Sequence, residues 1–502
     1  MTRPRRADTT RAVAAGLALV AAGGAALAVA RRRRVPGAPV RGASVSTRYG
    51  RLAASGARSG GRYAALRARR VFASAERRGE LEAEFQLRTA EEVVETLGNM
   101  KGALMKLGQM ASYLDQGMPP HLRDALAQLQ ADAPPMSAEL AAGVIEAELG
   151  RPPEVLFERW DPVPIAAASI GQVHRAITRD QRAVAVKVQY PGVDRAIAAD
   201  LGSARAVFGG LGMMFGGLEP GPVVEELRAR ITEELDYRLE AANQRLFGRF
   251  FAGHPTIHVP AVVDELSTAR VLTTELAEGV RLEEAARWPQ HERDLAAETI
   301  YRFAFGSLYR LRAFNGDPHP GNYLFRPGGH VTFLDFGLVK RFTPDELAVY
   351  GDMISAMVLD HDPTRFRRII EGVGLLREGV EASDEHVADY FRHFYSYVLT
   401  DDVREIDEDY SAATVRQIFD PTGPHAAVKQ AANVPPSFVV IQRINLGLIA
   451  VFGALRARNP WRHLAEELWP FVDAPPRTEM GRRIAEVWNQ DEAWSRVAGD
   501  DA

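Results

Sequence analysis

The chain has 502 residues, 61 Lys+Arg against 65 Asp+Glu, a formal net charge of −4, and 46% apolar and 25% charged residues. That length corresponds to roughly two to four domains or one large domain with extensions, and the composition excludes a wholly disordered or fibrous chain. The absence of cysteine excludes disulfides, thiolate nucleophiles, zinc–thiolate sites and iron–sulfur clusters.

The charge is laid out unevenly. Up to Arg70 there are sixteen Arg and one acid, Asp8, so this arm carries +15 and the remainder carries −19. Residues 1–30 form a basic N-terminus with a candidate membrane anchor, 12–30: nineteen residues with ten Ala and three each of Gly, Val and Leu, and no charge. The run just reaches the ~20 residues of a span. An Ala-rich arm and a signal peptide cleaved near Ala26-Leu27-Ala28 are the alternatives, and four Arg directly after that point (Arg31 to Arg34) argue against export. If the run spans, the twelve Arg from Arg31 to Arg70 outweigh the four ahead of it, and the positive-inside bias then puts the body in the cytoplasm. Residues 31–80 read as a basic flexible linker, drawn to anionic lipid headgroups by about 1 kcal/mol per basic residue near the surface.

From 81 the pattern becomes helical, with Leu97, Met100, Leu104, Leu107 and Met110 at spacings of three and four. Strand signals follow between 157 and 190, notably Ser169 to His174 and Ala183 to Val188. A Gly-rich stretch leads into a long helix expected from about Pro222 to Phe251. Short β-like runs are expected at 257–263 and 270–276, a helix over 284–312, then a loop, a hairpin and a largely helical remainder. Strands first and helices after predict an α+β protein of two lobes.

The loop Asn315-Gly316-Asp317-Pro318-His319-Pro320-Gly321-Asn322 sets Asp317 and Asn322 five apart, and Leu334-Asp335-Phe336-Gly337 follows thirteen residues later. A hairpin turning at Pro327-Gly328-Gly329 would bring Asn322 to Asp335, an oxygen pair suited to Mg²⁺ together with phosphates and water. Asp317 could then meet an acceptor hydroxyl or an attacking water. These spacings are those of kinase-type phosphoryl transfer. Lys187, on the alternating run Val184-Ala185-Val186-Lys187, is one of only five Lys in the chain, and such a strand lysine needs a helix Glu to hold it. Its candidate partners lie in Glu233 to Glu240, where Asp236 and Glu240 would share a helix face. In place of a glycine-rich phosphate loop stand Ala166, Ala167, Ala168 and Ser169, a stiffer turn. Val271 to Leu276 reads as the strand-to-hinge segment, with Glu275 near the adenine. Five residues after Gly337, Thr343-Pro344-Asp345-Glu346 predicts a capped helix start, which leaves no room for a long activation loop and argues against a peptide kinase.

One further motif, Lys106-Leu107-Gly108-Gln109, lies ahead of the lobes. Together with the Ala-rich loop, Glu234-x-Asp236, Asp317…Asn322 and Asp335-Phe336-Gly337 in this order, it closely resembles the UbiB (AarF-domain) family of atypical kinases over roughly residues 85–475. The resemblance implies a two-lobed protein-kinase-like fold with an added N-terminal helical element, here preceded by the candidate transmembrane helix. The expected divisions are a helical extension at 81–150, an N-lobe at 151–280, a C-lobe at 281–475 and a C-terminal tail at 476–502. It implies Lys106 and Gln109 over the nucleotide pocket meeting Glu234 and Asp236, Lys187 paired with Glu240, and Asn322 and Asp335 on Mg²⁺, with ATP or ADP as the nucleotide. Family members act in isoprenoid-quinone and lipid metabolism at membranes, so the implied partners are anionic membrane lipids, isoprenoid lipid or quinone precursors and lipid-biosynthesis proteins, with no nucleic acid. The expected function is a membrane-associated Mg²⁺-dependent ATPase or atypical kinase; the alternatives are a non-catalytic nucleotide-gated binding module and a small-molecule phosphotransferase. Relatives tied to ubiquinone synthesis often carry C-terminal spans, whereas Phe438 to Leu455 is interrupted by Gln442, Arg443 and Asn445 and is expected as a buried or amphipathic helix.

Overall fold

The computed structural model describes residues 136–168, 170–193, 235–419, 425–433 and 436–497. The candidate anchor at 12–30, the basic linker, Lys106, Gln109, Ser169 and Glu234 lie outside the described residues.

The first described helix, α1 (Ala138–Leu149), starts at Ser137, whose hydroxyl accepts the Leu140 N–H, and stops at Gly150 in the left-handed region at φ 73°. A left-handed C-cap is the conformation that glycine adopts without a Cβ clash. Strands β1 (Phe157–Ala168), β2 (Gly171–Thr178), β3 (Ala183–Gln189) and β4 (Val271–Glu275) form an antiparallel sheet in that order. On β3 the alternation is strict: Val184, Val186 and Val188 are fully buried, packed with Ile145 of α1, Leu156, Phe157 and Val271. Because successive side chains leave opposite faces of a strand, Ala185 and Lys187 face the other way.

Of the long helix expected from Pro222, residues 222–234 lie outside the described residues. Leu235 and Asp236 are not helical, and α2 runs only over Tyr237–Phe250. Asp236 is its N-cap, accepting the Arg238 N–H, so it does not share a helical face with Glu240: a short carboxylate that bonds a free first-turn N–H competes with helical continuation. Tyr237, Glu240, Ala241, Gln244 and Phe247 are buried along one side of α2, the three-and-four spacing of a core-facing stripe.

The second lobe is built on α3 (Gln290–Gly306), most of whose second half is buried. Strands β5 (Ala313–Asn315), β6 (Tyr323–Arg326), β7 (His330–Phe333) and β8 (Val339–Arg341) follow; β6 and β7 form a hairpin, joined by the short strand Ile257–His258, and β5 pairs with β8. Further helices are α4 (Pro344–Ile354), α5 (Pro363–Gly372), α6 (Asp384–Arg392), α7 (Glu408–Phe419), α8 (Pro436–Leu455), α9 (Trp461–Leu468), α10 (Glu479–Val487) and α11 (Gln490–Ser495), with shorter ones at Pro153–Leu156, Leu282–Ala285 and Ala426–Ala431. Thr343 caps α4 in a reciprocal box with Glu346, as its sequence predicts. Helix α8 buries Ile444, Leu448, Ile449, Val451, Phe452 and Leu455 in the core, and among the described residues no helix is long and apolar enough to cross a membrane.

Candidate active site

Between the sheet and the second lobe lies a cleft of about 330 Å³. Its roof is the end of β1 with Ala185 and Lys187 of β3; its floor is Asp317, Asn322, Leu334 and Asp335; the segment Thr274 to Ala277 closes the back. The volume lies at the lower end of the ~300–1,000 Å³ of small-molecule sites.

The alanine triplet sits differently from a flexible loop. Ala166, Ala167 and Ala168 are strand residues paired with Val173, Gln172 and Gly171, so they extend the sheet and do not form a turn. Gly171 is required on steric grounds: a Cβ there would run into the Val188 carbonyl of β3.

Lys187 is the electrostatic centre. Its ammonium lies 2.7 and 2.8 Å from the two Glu240 oxygens, 3.7 Å from Asp335 Oδ2 and 5.0 Å from the Tyr237 ring centroid. Burial pulls its pKa down, but the Asp335 and Glu240 carboxylates and Tyr237 outweigh it and hold it well above the ordinary lysine value. The cation therefore stays charged at neutral pH. Glu240 is 6% exposed and Asp335 33% exposed in their side chains; the first is a closed partner, the second opens onto the cleft.

Asp335 is held by backbone and amide bonds. Its Oδ1 accepts the Gly337 N–H at 2.9 Å, and its carbonyl accepts the Asn315 amide at 2.7 Å. Phe336 is fully buried, 5.2 Å from Phe247 of α2, and its carbonyl accepts the Asn243 amide at 3.0 Å. The hairpin brings Asn322 to this point: the Leu334 N–H donates to the Asn322 carbonyl at 3.0 Å. The Asn322 amide nitrogen donates to the Asp317 carbonyl at 3.0 Å and its Oδ2 at 3.3 Å. That leaves the amide oxygen of Asn322 as the atom able to meet a cation. One carboxylate, one amide oxygen and phosphate oxygens are a donor set that fits Mg²⁺; among the described residues no cluster of three His, Asp or Glu stands as a metal cage.

Asp317, 6% exposed, is fixed through its N–H to Asn315 Oδ1 at 3.2 Å. Glu275 lines the back of the cleft, its carboxylate 3.4 Å from His258 Nε2 and 3.3 Å from the Ala261 N–H. Asp236 pairs with Arg238 at 2.7 Å, and that ion pair with the N–H bonds holds its carboxyl below the usual range. Four contributors are given no role by the motifs, although Asn315 and His319 stand within one. Asn243 and Asn315 fasten Phe336 and Asp335, His319 caps the Gly321 N–H, and Arg281 donates to the Gly321 carbonyl at 2.6 Å. Asn243 follows Glu240 by three on α2, the one signal that could have found it.

A family model, the ABC1 atypical kinase-like domain, matches residues 128–369. A mitochondrial atypical kinase of Rattus norvegicus, COQ8B, is 35% identical over 59% of this chain and 57% of its own length. An uncharacterized chloroplastic aarF domain-containing protein kinase of Arabidopsis thaliana is 37% identical over 52% of this chain and 37% of its own. The chain thus spans about half the length of the curated relatives it matches, or less. A solved structure of Rv3197 from Mycobacterium tuberculosis, in complex with erythromycin, aligns at 32% identity and a TM-score of 0.58 over 78% of this chain and 98% of that one.

Proposed function

Because the chain belongs to the UbiB (AarF-domain) family of atypical kinase-like proteins and has a kinase-like fold, we propose that it is a Mg²⁺-dependent ATPase or atypical kinase that works at a membrane in isoprenoid-quinone or lipid metabolism. The observation that carries the reading is the charged arrangement at the cleft: Lys187 clamped on Glu240 at 2.7 Å while Asp335, 3.7 Å away, opens toward the cavity. A structural ion pair has no need of the second, exposed carboxylate.

Each residue has a part in the reading. Lys187 grips the α/β-phosphates of ATP or ADP, and Glu240 keeps its ammonium aimed at them. Asn322 and Asp335 hold Mg²⁺, which when bound neutralises charge on the phosphate oxygens. Asp317 orients the attacking water or hydroxyl and takes up its proton. Ala166 to Ala168 cover the phosphates as a stiff strand end, and the backbone beside Glu275 faces the adenine. The family resemblance would add Lys106, Gln109, Glu234 and Asp236 to the nucleotide site; Asp236 does not line the cleft, and the other three lie outside the described residues.

Two features favour a non-peptide acceptor. Only Leu338 to Phe342 separate Gly337 from the Thr343 cap, so no extended platform for a peptide follows. The N-terminal arm carries +15, which suits an anionic lipid surface; the rat and plant relatives are named as organelle proteins. The test is ATP hydrolysis by the full chain and by Asp335→Asn, with and without anionic liposomes carrying isoprenoid-phenol compounds. Turnover by the wild type, raised by the liposomes and lost in Asp335→Asn, supports the proposal; a purified chain that neither binds nor hydrolyses nucleotide under any of these conditions overturns it.

A further inference from the structure

We propose that the C-terminal segment Thr478 to Val497 is a clamp that positions α2, and through it Glu240, with Trp488 as the principal positioning residue. The inference rests on the reading of the cleft as a nucleotide site only for its effect on binding, not for its structural content.

The segment read from sequence as a tail is folded and docked: Met480, Ile484, Trp488, Ala493 and Val497 are all part of the main hydrophobic core. It touches both halves of the cleft's framework. At its start, the Thr478 hydroxyl donates to Glu298 Oε1 at 2.6 Å, accepts from Arg302 Nη2 at 2.9 Å and caps α10 through the Gly481 N–H. The Met480 sulfur lies 3.4 Å from the Thr299 hydroxyl, which donates to the Gly329 carbonyl at 2.7 Å. Gly329 is in the tip of the β6–β7 hairpin that joins Asn322 to Asp335, and a Cβ there would meet Met480 Cε at 2.8 Å. At the far end, the Trp488 ring stacks on Phe251 at 6.0 Å and 12°, and meets Phe250 edge-on at 5.6 Å and His254 at 4.9 Å. Arg496 Nη1 donates to the Ala252 carbonyl at 2.8 Å.

Phe250 and Phe251 end α2, whereas Glu240 is in its first turn. A helix of this length is a rod of about 21 Å, so a restraint on its last turn sets the tilt of its first. Docking also carries a cost: among the described residues Trp488 Nε1 is buried without a hydrogen-bond partner, a penalty that release into water removes. Trp488→Phe removes that penalty while keeping the aromatic contact.

The experiment uses the full chain with Trp488→Ala, Trp488→Phe and Arg496→Ala. Its control is Phe366→Leu, a fully buried C-lobe residue packed on Phe391, away from α2. Amide hydrogen exchange over Tyr237–Phe250 is measured beside the Mg–ATP dissociation constant. Exchange reports local opening of that helix. In Trp488→Ala exchange is expected to rise about ten-fold and the dissociation constant about ten-fold; Trp488→Phe stays within about two-fold of the wild type on both, and Arg496→Ala moves about three-fold in the same direction. Phe366→Leu lowers the thermal midpoint and moves neither. Should Trp488→Ala fail to fold, Arg496→Ala decides by the same criterion. A Trp488→Ala or Arg496→Ala protein whose α2 exchanges as in the control overturns the clamp. If the wild type binds no nucleotide, the functional reading falls, and the exchange pattern alone still decides the clamp.

Discussion

Two cations in this molecule, one buried and one half-buried, each face two carboxylates, and they do different things. Arg302 on α3 is 7% exposed, held by Glu298 at 2.7 Å and by Glu467 at 2.6 Å, themselves 5% and 4% exposed. The Thr478 hydroxyl joins the group. Lys187 has one closed partner, Glu240, and one, Asp335, that is 33% exposed and farther away. Removing a buried charge pair from water is repaid only when hydrogen bonds satisfy the remaining lone pairs and protons. The arginine network is finished within the protein; the lysine network leaves a carboxylate turned to a cleft beside Asn322 and Asp317. The first fastens helices together, and the second lines the cleft.

The largest expected effect separates the two by activity. Asp335→Asn should lower Mg-dependent ATP turnover by about 10³-fold while shifting unfolding free energy by less than about 1 kcal/mol, because the group is part-exposed; steady-state hydrolysis beside urea unfolding checks both. A large stability loss in this variant would erase the distinction.

Arg302→Leu should do the reverse. It strands two carboxylates in the core and should destabilise the chain by about 3–5 kcal/mol, read as a lower urea midpoint. A change under about 1 kcal/mol would mean the triad is not closed.

Gly481→Ala sharpens the same point sterically. A Cβ there would meet Glu467 Oε2 at 2.5 Å and Arg302 Nη2 at 2.6 Å, and overpacking of this kind costs about 1–3 kcal/mol. At Gly337, beside the other network, a Cβ would approach Asp335 Oδ1 only to 3.3 Å, so Gly337→Ala should be the milder change in the same unfolding assay.

The last effect is on pH and grows with each unit of acidification. His254 is pushed down from 6.5 to about 3, first by burial and then by Arg302. The unfolded chain takes a proton at this position from about pH 6.5 downward, and the folded chain refuses it until about pH 3. Stability is therefore present above that window and falls as pH drops through it, by at most about 1.4 kcal/mol per unit from this group. Unfolding at pH 7, 5 and 4 should show a shallower slope in His254→Asn.

The difference between the two networks also explains what was legible in the sequence. Lys187, Asp317, Asn322 and Asp335 stand in motifs of fixed spacing, and the strand and hairpin that carry them follow from alternation and a Pro-Gly-Gly turn. The capped start of α4 was legible for the same reason, since Thr343 and Glu346 are local. Glu298 and Arg302, four apart on a helix, carry no local signal of burial; their third partner is 165 residues away, beyond any periodicity. Asp236 is ambiguous in sequence because its carboxylate can continue a helix face or cap one. The Ala triplet is equally ambiguous, since three Ala fit a turn or pair in a strand. The docked C-terminal helices gave no signal beyond amphipathic spacing.

The central claim is that the cleft holds a Mg–nucleotide through Asp335. Its most direct test is equilibrium titration of ATP onto the full chain and onto Asp335→Asn, each with and without Mg²⁺. The account predicts that Mg²⁺ tightens binding by the wild type and fails to tighten it in the variant. No binding by the wild type, or an equal effect of Mg²⁺ on both proteins, would contradict it.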